Sequence, residues 1–279
     1  MIKVENYVID QTQKYPDGTP ILKLNTGFLA TTTNVNIVWA FDSLEEYFTI
    51  ACLVEHLTNI KHHTVSLTLP YIPNARMDRV KYEDECFTLK TFANLINALN
   101  FTQVFVCNAH SDVSLALIDR VTDIGIKLMH EFLSDHKHMY DTIMFPDAGA
   151  AKRYGTSFND IKDFGVIVGN KTRDWRTGKI LGLTLDGDTK DIVGKNVMIV
   201  DDICSRGGTF KYAAIELKKR GANIINLYVT HCENVIDVKT LKESGINEVY
   251  TTDSIFRMDK ATYEQKEMLN VDEIWRDEE

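Results

Sequence analysis

Short apolar runs alternate along the chain with stretches whose apolar residues recur every three or four positions, which predicts strands and helices taking turns. Residues 36–41 read as a strand. Ser43 and Glu46 then predict a capping box for a helix with Leu44, Tyr47, Phe48, Ala51, Val54 and Leu57 on its apolar side. Residues 64–69 form the next strand, rich in β-branched side chains and closed by Pro70. A polar loop runs from there to Cys86, ahead of a helix near residues 91–99 that gathers Phe92, Leu95, Ile96 and Leu99 on one side. Residues 104–107 make a further strand, leading into Asn108-Ala-His-Ser-Asp112.

The polar stretch Ser134-Asp-His-Lys-His138 marks a boundary, giving expected domains at residues 1–137 and 138–279. The alternation restarts beyond it, with a strand at 142–145 and a short helix opened by Pro146-Asp-Ala-Gly-Ala-Ala151. Residues 164–168 and 180–185 read as a hairpin around Lys171-Thr-Arg-Asp-Trp-Arg-Thr-Gly-Lys179. Strands at 197–200, 224–230 and 248–252 follow, with a helix near 238–243. The order is that of an α/β protein with a mostly parallel sheet flanked by helices in each half.

The stretch from Asn196 to Phe210 carries the sharpest chemistry. The apolar run Val197, Met198, Ile199, Val200 ends on two carboxylates, Asp201 and Asp202. Ser205, Arg206, Gly207, Gly208 and Thr209 follow, and then a helix with Phe210, Ala213, Ala214 and Leu217 on one face. A strand, a small-residue loop and a helix N-terminus make an anion site, because free backbone N–H groups point at the ligand there. Two carboxylates would repel a bare phosphate, so the ligand must also bring hydroxyl donors, as a ribose does. Neither a Gly-Lys-Ser/Thr ending nor a G-x-G-x-x-G spacing is present. Taken alone, the stretch also fits a βα turn of any doubly wound protein.

Composition narrows the classes. A net charge of −9 argues against a nucleic-acid footprint. Cys52, Cys86, Cys107, Cys204 and Cys232 are scattered without a C-x-x-C pair, which suits free thiols in a reducing compartment. The first residues carry no signal-peptide core and no apolar run reaches membrane-spanning length, so the expected location is cytoplasmic, with no membrane or nucleic-acid partner.

Four more stretches bear charged or metal-binding side chains at strand ends and turns: Tyr15-Pro-Asp-Gly18, Pro70-Tyr-Ile-Pro-Asn-Ala-Arg-Met-Asp-Arg79, Cys107-Asn-Ala-His110 and Phe145-Pro-Asp-Ala-Gly-Ala-Ala-Lys-Arg153. A fifth, Lys171-Thr-Arg173, leads into the basic hairpin tip with Arg176 and Lys179. Each has a plain structural reading by itself, as a turn, a solvated loop or a strand end. Together with residues 201–209 they resemble the ribose-phosphate pyrophosphokinase (phosphoribosyl pyrophosphate synthetase) family, and the matches run from Tyr15 to Thr209. Departures from the family pattern are Thr19-Pro20 after the first motif, Met77 for glutamine, Asn108 for aspartate, Ala150 for glycine, and Ser205 and Arg206 for aspartate and threonine. Two extra residues lie between Tyr71 and Ala75.

The resemblance implies two similar type I phosphoribosyltransferase-like domains. It implies Mg²⁺-dependent transfer of a pyrophosphoryl group from ATP to ribose 5-phosphate, giving 5-phospho-ribose 1-diphosphate and AMP for nucleotide and NAD synthesis. By position, Tyr15, Asp17, Arg76, Met77, Asp78, Arg79 and His110 would serve ATP. Asp201, Asp202, Ser205, Arg206, Gly207, Gly208 and Thr209 would hold ribose 5-phosphate. His110 would lie at the nucleotide-side metal and Asp147 at the pentose-side one, and Lys171 and Arg173 would be catalytic. A homo-oligomer, dimer or hexamer, is also implied. Two other readings stay open: a non-catalytic synthetase-like subunit, suggested by Asn108 and Ser205, and a type I phosphoribosyltransferase.

Overall fold

Two separate sheets carry the fold, in units spanning Met1–Gly125 and Ile126–Ile274. The computed structural model describes residues 1–24, 27, 32–61, 63–155, 164–173, 180–186 and 192–272.

In the first unit the elements run β1 (Ile2–Val4), β2 (Tyr7–Val8), β3 (Asn34–Trp39), α1 (Glu46–Glu55), β4 (Thr64–Leu69), α2 (Thr88–Ala98), β5 (Val104–Val106), α3 (Asp112–Leu117) and β6 (Val121–Asp123). The sheet order is β2-β1-β3-β4-β5-β6, parallel from β3 to β6, with β1 antiparallel to both its neighbours. Its core joins Val35, Ile37 and Trp39 of β3 to Ile50 and Leu53 of α1 and to Phe92 and Ile96 of α2. The capping box expected at Ser43 and Glu46 is only half built. Helix α1 starts at Glu46 behind Glu45, with no side-chain cap. The Glu46 carboxylate still accepts the Asp42 N–H at 2.9 Å and the buried Trp39 Nε1–H at 2.7 Å.

The second unit begins with α4 (Gly125–Asp135), which opens on the last residue of the first. It continues with β7 (Thr142–Phe145), α5 (Ala148–Tyr154), β8 (Gly165–Arg173), β9 (Ile180–Asp186), β10 (Val197–Cys204), α6 (Gly208–Lys219), β11 (Ile225–Cys232), α7 (Val238–Ser244), β12 (Glu248–Thr252), α8 (Tyr263–Met268) and β13 (Leu269–Asp272). The order is β13-β12-β11-β10-β7-β8-β9, parallel except for the β8–β9 hairpin.

Side chains alternate faces along a strand, and β10 shows what its apolar run is for. Val197 and Ile199 pack with Phe210, Ala213 and Leu217 of α6 and Leu241 of α7. Met198 and Val200 pack on the other face with Met129, Phe132 and Leu133 of α4 and Tyr154 of α5. Helix α4 thus covers the second sheet, and the division between units falls one helix earlier than the polar stretch 134–138. Strand β10 also runs further than expected, through both aspartates to Cys204.

Candidate active site

In the second sheet the strand order reverses between β7 and β10. Chain leaving β7 crosses through α5 to β8 on one side, and chain leaving β10 crosses through α6 to β11 on the other. Crossovers that diverge from a shared pair of strands leave a crevice at the strands' carboxyl ends, the usual ligand position in open α/β sheets. Here those ends carry Asp147, just past β7, and Asp201 and Asp202, on β10.

Asp147 is fixed from two sides. Its Oδ1 caps α5 by accepting the Ala150 N–H at 2.9 Å, and its Oδ2 lies 2.7 Å from Lys171 Nζ. Lys171 comes from β8, whose parallel pairing with β7 aligns Phe145 with Val168. Its side chain is 9% exposed against 38% for Asp147, so the lysine approaches from the protein side and leaves part of the carboxylate open. Burial raises the Asp147 pKa, but the Lys171 and Ala150 hydrogen bonds outweigh it and hold the carboxyl below its ordinary value.

Consecutive residues on a strand point to opposite faces, and the two aspartates of β10 have different neighbours accordingly. Asp202 is buried and lies 3.4 Å from Arg153 NH1 of α5. Asp201 is half-buried, and its Oδ1 accepts the Asp202 N–H at 3.0 Å. Burial first, and the neighbouring Asp202 carboxylate second, push the Asp201 carboxyl well above the ordinary carboxylate range. Lys171 acts on it in the opposite sense and does not overcome them.

The loop after β10 leaves the head of α6 uncapped by any side chain. Gly207, at φ +86°, is the N-cap of α6 and contributes no side-chain acceptor, so the first-turn N–H groups stay available. A Cβ on Gly207 would lie 2.8 Å from Leu241 Cδ2, so glycine is required there by both conformation and packing. Gly208 is exposed and faces open space. Ser205 and Thr209 are half-buried and Arg206 is exposed on the same loop.

The first unit presents its own polar corner at the ends of β4 and β5. Asp78, with a side chain 10% exposed, accepts Arg79 Nε–H at 2.8 Å. The Arg79 hydrogen bond chiefly holds its carboxyl low, and nearby His110 adds to the effect. The Arg76–Arg79 segment and the turn after β5 therefore meet through Asp78. Asn108 is fully buried at φ +50°, so its amide is not presented at the surface beside His110, which is half-buried. Met77 is half-buried and Arg76 exposed.

Tyr15-Pro-Asp-Gly18 folds as a tight turn. Gly18 N–H donates to the Tyr15 carbonyl at 2.9 Å, and Asp17 Oδ1 accepts the N–H and Oγ1–H of Thr19 at 2.9 and 2.6 Å. Tyr15 is exposed. The turn borders a cavity of about 460 Å³ lined by Lys14, Gly18, Pro20, Ser43 and Phe48, among others. The β8–β9 hairpin is present as expected, with Lys171 opposite Leu183. Its tip, with Arg176 and Lys179, and the side chain of Arg173 lie outside the described residues.

Two participants were not singled out by the motifs. Arg153 ends the Pro146–Arg153 stretch, and its pairing with Asp202 depends on the crossover bringing α5 against β10. Asp123, at the end of β6, holds the turn containing Asn108. Among the described residues no cluster of three or more His, Cys, Asp or Glu forms a cage that could hold a metal.

The strand-order reversal, the carboxylate pair and the glycine loop at the head of α6 define a type I phosphoribosyltransferase-like unit, and the phosphoribosyl transferase domain matches residues 131–260. Sequence relatives include ribose-phosphate pyrophosphokinases. That of Marinomonas sp. is 29% identical over 68% of this chain and 61% of its own length. That of Bacillus subtilis is 25% identical over 81% of this chain and 71% of its own. That of Sulfolobus acidocaldarius is 25% identical over 91% and 85%. The chain thus spans about three fifths of the Marinomonas relative. The crystal structure of phosphoribosylpyrophosphate synthetase from Mycobacterium smegmatis shares the fold, with TM-score 0.71 and 19% identity over 96% of this chain and 87% of that one. The family resemblance carried by the motifs is therefore borne out.

Proposed function

We propose that the chain transfers the β,γ-pyrophosphoryl group of ATP to the anomeric hydroxyl of ribose 5-phosphate, releasing AMP and 5-phospho-ribose 1-diphosphate. The observation that carries this is the carboxylate pair Asp201–Asp202 and the open Gly207–Gly208 loop at the strand-order reversal, beside the Asp147–Lys171 pair. That set matches the two ends of a phosphorylated sugar.

The first-turn N–H groups of α6, with Ser205, Arg206 and Thr209, take the 5-phosphate. Asp201 accepts from ribose hydroxyls, with Asp202 anchored behind it to Arg153. Lys171, already held at the site, neutralises charge that spreads over the phosphate oxygens as the bond to the departing AMP breaks, and Arg173 adds a second cation. Arg76 and Arg79 offer forked donors to the nucleotide phosphates, with His110 beside them. Tyr15, Asp17, Met77 and Asp78 complete the nucleotide side.

The partly open Asp147 carboxylate fits Mg²⁺, which keeps several waters and binds through one or two carboxylates plus substrate phosphates. His110 would sit by the nucleotide-side ion and Asp147 by the pentose-side ion, and Mg²⁺ would supply charge screening on the polyphosphate. The proposed setting is a cytoplasmic homo-oligomer, for which sedimentation giving only monomer at assay concentration is the contrary result. Among the described residues no helix is long and apolar enough to cross a membrane.

Incubation with ATP, Mg²⁺ and ribose 5-phosphate, followed by phosphorus NMR, tests the reaction. AMP rising in step with the 1-diphosphate supports it. ADP as the product, or ribose 5-phosphate binding without turnover, overturns it, and the latter makes the chain a binding subunit.

A further inference from the structure

We infer that Asp123 is a positioning residue for the nucleotide side of the reaction, acting through the backbone of the turn that carries His110. This rests on the nucleotide reading of His110 and Arg79 given above.

Asp123 is the last residue of β6, paired with Val106 at the end of β5. Its two oxygens take three backbone donors. Oδ1 accepts the Asn108 N–H at 2.7 Å and the Gly125 N–H at 2.8 Å, and Oδ2 accepts the Ala109 N–H at 2.7 Å. Asn108 holds a left-handed φ of +50°, a conformation that asparagine tolerates better than most residues. The turn is also closed from the far side, because a Cβ on Gly125 would fall 2.0 Å from the Asn108 nitrogen. Asn108 and Ala109 are buried, so water is a poor substitute acceptor for their N–H groups.

The next residue is His110, near enough to Asp78 for its charge to act on that carboxylate, and Asp78 in turn accepts from Arg79. A single carboxylate thus sets the turn from which His110 projects, beside the Asp78–Arg79 pair. Because all its described bonds go to backbone N–H groups, Asp123 acts through its neighbours.

The test compares the parent with Asp123→Asn, which puts an NH₂ where one of the two acceptors stood, and with the milder Asp123→Glu, which keeps the charge and moves it by a methylene. The expected result is a KM for MgATP raised by about tenfold in Asp123→Asn, with the KM for ribose 5-phosphate within about twofold of the parent. Asp123→Glu should show the same selective rise, smaller in size, and serves if the asparagine variant does not fold. Equal rises in both KM values, or a lowered melting temperature with both KM values unchanged, would make Asp123 merely structural. Amide hydrogen exchange separates this inference from the assigned reaction. Loss of protection confined to residues 108–111 and Gly125 in the variant supports the clamp even if the parent shows no turnover, and unchanged protection overturns it.

Discussion

Lys171 Nζ stands 2.7 Å from Asp147 Oδ2 while Asp147 Oδ1 caps α5, so one carboxylate joins β8 to the first turn of the helix after β7. The cation of the proposed reaction is therefore in place before substrate arrives, held by a group that can release it to incoming phosphate oxygens. Preorganised charge of this kind needs little reorganisation at the moment of transfer.

Lys171→Met should lower kcat by roughly 10²–10³, the usual scale for losing one preorganised charge donor. It should also change the acid limb of stability. The pair holds the Asp147 pKa low, so its contribution is present above the unfolded value, about 3.9. That contribution fades as pH falls through the lower folded value. The parent should melt higher than Lys171→Met at neutral pH, with the gap closing as the pH drops below about 3.9. Melting curves across that range, with steady-state rates at neutral pH, check both parts.

Asp201 behaves oppositely. Burial and Asp202 raise its carboxyl, so ionising it in the fold without ligand costs stability as pH rises from the unfolded value toward the folded one. Asp201→Asn should therefore melt higher than the parent near neutral pH and match it at low pH, while ribose 5-phosphate binding weakens by at least about tenfold. Asp202→Asn, which leaves Arg153 without its carboxylate, should melt lower. Thermal melts of both variants with calorimetric titration of ribose 5-phosphate measure the contrast. Both aspartate variants shifting in the same direction would contradict the assigned environments.

The two glycines of the loop should separate stability from binding. Gly207→Ala meets a left-handed φ and the Leu241 side chain, and should cost about 1–3 kcal/mol of folding stability. Gly208→Ala meets nothing within 4 Å, so denaturant midpoints should stay close to the parent's. Its added methyl sits at the head of α6, where the 5-phosphate is assigned, so the KM for ribose 5-phosphate should rise by about tenfold. Urea titration and steady-state kinetics distinguish the pair.

The central strands were legible because each is a short apolar or β-branched run with a clear stop. Thr64–Leu69, Thr142–Phe145 and Glu248–Thr252 have the bounds read from sequence. Strands β1, β2, β6 and β13 have two to four residues each and no usable period, and they exist by pairing with β3, β5 and β12. Helix α4 was hidden by the polar stretch at its end, although Met129, Phe132 and Leu133 have helical spacing and pack on the second sheet. In the site, motifs contiguous in sequence could be found directly. The Arg153–Asp202 pair and the Asp123 clamp require approaches set by the sheets, which no local pattern encodes.

Asn108 gives the case in which sequence and structure point to opposite experiments. The family pattern has aspartate there, and restoring the charge looks like a way to strengthen a metal site. In the structure residue 108 is fully buried, and its backbone N–H is 2.7 Å from the Asp123 carboxylate. An aspartate would bring a second negative charge into this enclosed turn, and burial with like charge nearby raises a carboxyl's pKa. For an acid with a raised folded pKa, stability is retained below the unfolded value and lost as pH rises toward the folded one. Asn108→Asp is therefore expected to match the parent near pH 4, and to be less stable by about 1–3 kcal/mol at pH 8. The Mg²⁺ dependence of the rate should not improve, because the new carboxylate stays inside the turn. Urea denaturation at the two pH values and a Mg²⁺ titration of activity decide it, and a tighter Mg²⁺ response with unchanged stability would show that residue 108 reaches the ligand after all.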